Sequence, residues 1–149
     1  INRGAGRIDV VLLGRTGDGT LDPADVAKVS AAFKDEAAVQ LTDVVNVRPA
    51  AIVPYSARVV LTVPYGPDQA VIQAAADQAV RAYAARQHKV GRTVFRQMIE
   101  AAASVSGVDT ARAELAIAGD PATPVADVVP GAAGAAWLAD LTLSIELVS

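Results

Sequence analysis

The chain reads as an α+β fold: two layers, with a mixed, mostly antiparallel sheet carrying helices on one face, in the order β-α-β-β-α-α-β-β. Two observations predict this. From Val53 to Tyr65 every second residue is apolar (Val53, Tyr55, Ala57, Val59, Leu61, Val63, Tyr65), the period of a strand with one buried face. From Gly66 to Gly107 two helical patterns follow one another, bracketed by strands and punctuated by Gly66-Pro67-Asp68, Gly91 and Gly107. Helices gathered on one face of a sheet are the natural two-layer solution for such an order.

The first strand is Arg7 to Leu13, a short run of β-formers (Ile8, Val10, Val11, Leu12, Leu13) that reads as buried. Gly14 to Thr20 is a loop by composition. Asp22-Pro23 supplies a helix cap and a proline at the first helical position. Val26, Val29 and Phe33 then share one face of a helix expected to fade near Val39. Thr42 to Arg48 is a second strand, ended by Pro49.

The alternating strand comes next. Pro54 and Pro64 on its opposite face predict an edge position, or pairing over the middle of the strand alone. Asp68 leads into the longest helix, about Gln69 to Gln87, whose buried stripe is Ile72, Ala76, Ala79 and Tyr83, with Asp77 and Arg81 paired at i, i+4. Ile72 and Tyr83 are expected to pack against Val59, Leu61 and Val63. Thr93 is positioned to cap a shorter helix that buries Val94 or Phe95, Met98, Ile99 and Ala102, with Gly107 as its left-handed terminator. Val108 to Ala118 is a further strand. Gly119 to Gly134 is a long Pro/Gly/Ala/Asp loop, expected to be ordered by a partner or to stay mobile. Trp137 to Val148 closes the chain, with Leu141, Leu143, Ile145 and Leu147 alternating against polar residues. The interruption at Pro49 divides the chain into expected lobes of residues 1–48 and 49–149. Ile1 follows no initiator Met and opens no signal-peptide pattern, so the 149 residues are expected to be a piece of a longer protein.

Composition narrows the function. Hydrophobic residues make up 52% of the chain but aromatic residues 4%, so the core is built from alanine, valine and other short side chains. Such a core favours close packing over a roomy pocket lined by large side chains. A net charge of −3 with mixed signs gives neither a nucleic-acid footprint nor a polybasic membrane patch. The absence of cysteine excludes disulfides, thiolate catalysis and cysteine-ligated zinc. No apolar run reaches the length of a membrane span.

Each candidate for chemistry has a simpler structural reading. The glycines of Gly14–Thr20 are spaced G-x-x-G-x-G, which matches neither the dinucleotide fingerprint nor the P-loop, and Lys28 lies too far into the helix to serve a phosphate. Asp18, Asp22 and Asp25 invite a calcium reading, but their spacing is not that of an EF-hand. His88 is the single histidine, at a helix C-terminus beside Lys89, without the partners nucleophilic catalysis requires. Ser104 and Ser106 flank a helix end and form no nucleophile elbow. Arg86, Lys89, Arg92 and Arg96 cluster around the interhelix turn, either as a solvated face or as a docking site for an acidic partner.

Several segments carry a resemblance when taken in order: L-G-R-T-G-D-G-T after the first strand, V-V-N-V-R-P-A-A-I-V-P-Y, Y-G-P-D, A-Y-A-A-R-Q-H-K-V-G-R-T-V-F-R-Q-M-I-E-A-A, and V-S-G-V-D-T-A-R. Each motif alone is generic. Together they resemble the baseplate J-like proteins of contractile-tailed phages and prophages, over almost the whole chain, as a C-terminal portion of such a protein. The resemblance implies a structural component of a tail baseplate wedge, with no catalytic, cofactor-binding or metal residues. It also implies other baseplate proteins and further copies of the chain as partners, no nucleic acid or membrane, and a place in the virion tail after assembly in the host cytoplasm. The Gly119–Gly134 loop carries no motif that aligns. The alternative is a ferredoxin-like regulatory or small-ligand-binding module. Converging polar groups in a pocket would support that alternative, whereas exposed strand edges and flat apolar patches would support assembly.

Overall fold

The computed structural model describes residues 6–34, 44–120 and 122–148. It is α+β with mixed, mostly antiparallel sheets. The eight expected elements occur in the expected order, joined by three two-residue strands that the sequence reading did not contain. Two compact units are present, Ile1–Ile52 and Val53–Ser149.

In the first unit β1 (Arg7–Leu12) and β2 (Val44–Pro49) pair in parallel, Arg7 opposite Val44 through Leu12 opposite Pro49. The connecting helix α1 (Pro23–Lys34) lies against β2. Its start is as the sequence dictates: Asp22 Oδ1 accepts from Ala24 N at 2.8 Å. The expected continuation toward Val39 and the start of the second strand at Thr42 lie outside the described residues. Pro49 ends β2 from inside the ladder, opposite Leu12, rather than standing beyond it.

The second unit holds the core. Its sheet has the order β6-β5-β3-β8, built from β3 (Ala51–Pro64), β5 (Thr110–Ile117), β6 (Pro124–Val125) and β8 (Gly134–Val148). β3 is central rather than an edge. Its antiparallel pairing with β5 runs from Tyr55 opposite Ile117 to Thr62 opposite Thr110. That ladder lies between Pro54 and Pro64, so the missing proline N–H groups fall outside it.

Helices α2 (Gln69–Gln87) and α3 (Arg96–Ala103) pack on one sheet face. Tyr55, Ala57, Val59, Leu61 and Val63 of β3 cluster there with Ile72, Ala76, Val80 and Tyr83 of α2, Ile99 and Ala103 of α3, and Ala113 and Leu115 of β5. The expected contact of Ile72 and Tyr83 with Val59, Leu61 and Val63 is thus present. Two details of phase differ from expectation. In α2, Val80 is fully buried while Ala79 is half-buried. In α3, Met98 is 50% exposed and Ile99 and Ala103 point inward, while Val94, also buried, precedes the helix.

The loop from Gly119 to Gly134 is pinned within the chain. β6 pairs with β5, Leu115 opposite Val125. β7 (Asp127–Val128) pairs with β4 (Val94–Phe95), Val94 opposite Val128. Val94 and Val128 are both fully buried, which anchors the segment by apolar burial as well as by backbone bonds. The expectation of a partner-ordered or mobile loop is therefore corrected. In β8 the inward residues are Ala136 and Leu138 at the start, but Leu141, Leu143 and Ile145 later, with Ala139 and Asp140 both exposed between them. The inward parity changes there, as an extra residue inserted in a strand would make it do.

Candidate functional site

The loop after β1 closes on itself. Gly14 N donates to Gly19 O at 2.8 Å, Gly19 N to Thr16 O at 3.2 Å, and Thr20 N to Asp18 Oδ1 at 2.9 Å. These N–H groups point into the turn instead of outward toward an anion. The three aspartates of the calcium reading do not converge either. Asp18 serves Thr20, Asp22 caps α1, and Asp25 pairs with Lys28 at 3.0 Å. Among the described residues no three acidic or histidine side chains gather in a metal-holding arrangement.

His88 is the C-cap of α2, and its own N–H donates to Ala84 O and Ala85 O. Its Nδ1 lies 2.8 Å from Ala136 O of β8. A carbonyl only accepts, so Nδ1 carries the proton in this bond. The ring meets the Trp137 ring edge-on, with centroids 5.1 Å apart. His88 thus joins the end of α2 to the start of β8. Nearby, Gly91 N donates to Gly134 O at 2.8 Å, and toward the other end of α2 Gln73 Nε2 reaches Leu143 O at 3.2 Å. Ser104 turns its hydroxyl back onto Glu100 O at 2.8 Å, a helix-end bond, and Ser106 is exposed in the turn that follows.

Of the basic cluster, Arg86, Lys89 and Arg92 are exposed, while Arg96 Nη1 lies 3.7 Å from Glu100 Oε1. Glu100 also accepts from Ala113 N of β5 at 3.0 Å. Thr93 does not cap α3. The N-cap position is Phe95, which makes no side-chain cap bond, and Arg96 N donates to Asp127 Oδ1 at 2.9 Å. Gly107 is not the terminator of α3 either. The C-cap is Ser104, and Gly107, with φ +94°, lies in the turn closed by Val108 N to Val105 O at 3.0 Å.

The sequence reading missed Asp127, Glu100 and Gln73. All three act on backbone groups far away in sequence, so no local pattern announces them.

Three surface depressions of the second unit stand out. One, of about 240 Å³, lies on the sheet face away from the helices, where Arg58 of β3 sits among Ser56, Glu114, Asp140 and Thr142. A groove of about 180 Å³ lies between α2 and β8, lined by Arg81, Ala84, Ala85, Trp137 and Leu138. The Arg81 guanidinium there is held by Asp77 at 2.7 Å, and that hydrogen bond raises its pKa. The third, of about 420 Å³, is edged by Phe95 and Met98, each 50% exposed, with Arg96, Gln97, Ala126 and Asp127. An exposed aromatic, a methionine and an arginine on one rigid corner have the composition of a protein-contact surface. No constellation among these residues supplies a nucleophile with a base and an orienter.

Small-residue packing, backbone-directed polar side chains and shallow surfaces together define a scaffold-like α+β protein. No family model matches the chain. Over 122 residues, 82% of its length, it is 34% identical to Baseplate protein J of Escherichia phage P2. The chain is baseplate J-like over that stretch, as its ordered motifs indicate. It spans 38% of the length of that relative.

Proposed function

We propose that the chain is a non-catalytic structural part of a contractile-tail baseplate, a wedge component that works by contact with other baseplate proteins. The observation that carries this reading is the 34% identity to Baseplate protein J over 82% of the chain. The surfaces support it in kind: Phe95 and Met98 stand out from a well-packed corner, and Trp137 and Leu138 line a groove beside α2. The protein resides in the virion tail and is assembled there in the host cytoplasm. No helix among the described residues is long and apolar enough to cross a membrane.

The test is reconstitution. The protein is mixed with the other baseplate proteins of its tail, and complexes are separated by sedimentation. A stable complex is expected, weakened by Phe95→Asp with Met98→Asp, two exposed positions where the fold should tolerate a charge. No complex with any tail component, together with tight binding of a small metabolite, would replace this reading with the ligand-module one.

A further inference from the structure

The first unit lacks what the second has. Parallel strands are found with both faces covered, and a two-stranded sheet is marginal by itself. The sequence of β1 fits a covered strand: Val10, Val11 and Leu12 are consecutive, so apolar side chains leave both faces. Yet Gly19 is the one buried residue among the described residues of this unit, and α1 buries none. Ile8 is 44% exposed, Val44 61% and Phe33 36%. Among the described residues each strand has one neighbour, which leaves a second edge without a partner on both β1 and β2.

We propose that the β1–β2 sheet is a partial one, completed in the working protein by a strand from polypeptide beyond these 149 residues. That strand pairs with a free sheet edge and covers the apolar side chains of β1. The occupant belongs to the same polypeptide for two reasons. The chain spans 38% of the length of Baseplate protein J, so a protein of that size has ample chain to supply the strand. A covalently joined strand also acts at millimolar effective concentration. A second copy would instead leave an apolar parallel edge open between encounters, which is a template for aggregation. The proposal rests on the chain being part of a longer polypeptide and does not depend on a role in a baseplate. The mass of the native protein reads that premise independently.

Amide hydrogen exchange tests it, comparing the 149-residue chain with the longer polypeptide. In the shorter chain, β1 and β2 amides such as those of Val10 and Val47 should exchange at least about 100-fold faster than those of Val59 and Leu61 in the second unit. In the longer polypeptide they should slow to within about 10-fold of them, at every protein concentration. Full protection in the 149-residue chain at low concentration would show that the sheet is already complete and overturn the proposal. Protection that grows with concentration of the shorter chain would assign the edge to a second copy. Fast exchange in the longer polypeptide would mean that no completing strand exists. As a second measurement, Val11→Asp should leave the main thermal transition of the 149-residue chain unchanged and lower that of the longer polypeptide. Equal effects on both would also count against the proposal.

Discussion

Asp127 Oδ1 accepts a hydrogen bond from the backbone N–H of Arg96 at 2.9 Å, so a residue of strand β7 caps helix α3 from 31 positions further along the chain. The carboxylate sits at the positive end of the helix, where charge and hydrogen bond act together. Asp127→Ala should destabilise the second unit by about 0.5–2 kcal/mol, the usual range for a lost cap. Asp127→Asn should keep most of that, because its amide oxygen still accepts. Urea denaturation of the two variants measures the difference, and equal losses would mean that the bond contributes nothing.

This cap also shows where the sequence stops being legible. Regular elements could be read because their signals are local: the alternation of β3, the Asp22 cap of α1, whose Oδ1 accepts from Ala24 N at 2.8 Å, and the Asp77–Arg81 pair one turn apart. What joins elements could not. Thr93 has a cap-forming side chain in the right place, but β4 pairs with β7 and brings Asp127 to the helix instead. The Gly119–Gly134 segment reads as structureless because β6 and β7 are two residues each, too short for a period to show. Val80 was missed for another reason. In an alanine-rich helix the stripe can be phased through Ala79 or Val80, and the larger side chain takes the sheet side. As for function, the order of generic motifs carried the resemblance, while no side-chain constellation carried a site.

Ile72 and Gly107 form a contact that one glycine makes possible. A Cβ at Gly107 would lie 2.8 Å from Ile72 Cδ1, and the backbone there has φ +94°. Gly107→Ala therefore meets both steric overlap and left-handed strain, and should destabilise by about 1–3 kcal/mol. Ile72→Ala should cost about 2–5 kcal/mol, from lost burial and the cavity left behind. In the double variant the overlap is relieved, so the combined loss should fall short of the sum by at least about 0.5 kcal/mol. A double-mutant cycle in denaturant gives the coupling. Strict additivity would show that the turn shifts away from α2 without resistance.

Tyr55 sets an alkaline limit. It is 1% exposed, and its hydroxyl has no hydrogen-bond partner. Burial, with a smaller contribution from the nearby Tyr83, raises its pKa well above the ordinary value of 10.0. The folded state therefore keeps this proton at pH values where the unfolded chain has lost it. The stability linked to Tyr55 is intact below about pH 10 and falls as the pH rises beyond it, since the unfolded state ionises first. Tyr55→Phe should flatten that fall relative to the parent protein. At neutral pH the same change removes an unsatisfied buried hydroxyl and should be neutral or stabilising by about 1 kcal/mol. Denaturation midpoints at pH 7 and above pH 10 read both effects, and a variant with an unaltered alkaline slope would show that Tyr55 ionises freely in the fold.

The junction of α2 with β8 rests on His88, and its two contacts separate by mutation. The ring donates Nδ1–H to Ala136 O at 2.8 Å and meets Trp137 edge-on at 5.1 Å. His88→Ala leaves the Ala136 carbonyl without this donor, a loss of about 1–3 kcal/mol for a buried acceptor, and also removes the ring contact, worth about 0.5–1.5 kcal/mol between aromatic partners. His88→Asn places an amide N–H where Nδ1 stood, so it should restore the hydrogen bond and leave the ring contact missing. Asparagine should therefore stand between histidine and alanine in stability. Trp137 is the single tryptophan of the chain, so its fluorescence reports directly on the junction. Its emission should shift to longer wavelength in His88→Ala as the indole gains water, and less so in His88→Asn. If asparagine proved no better than alanine in both stability and emission, the hydrogen bond to Ala136 would not be what holds α2 to β8, and ring packing alone would have to account for the junction.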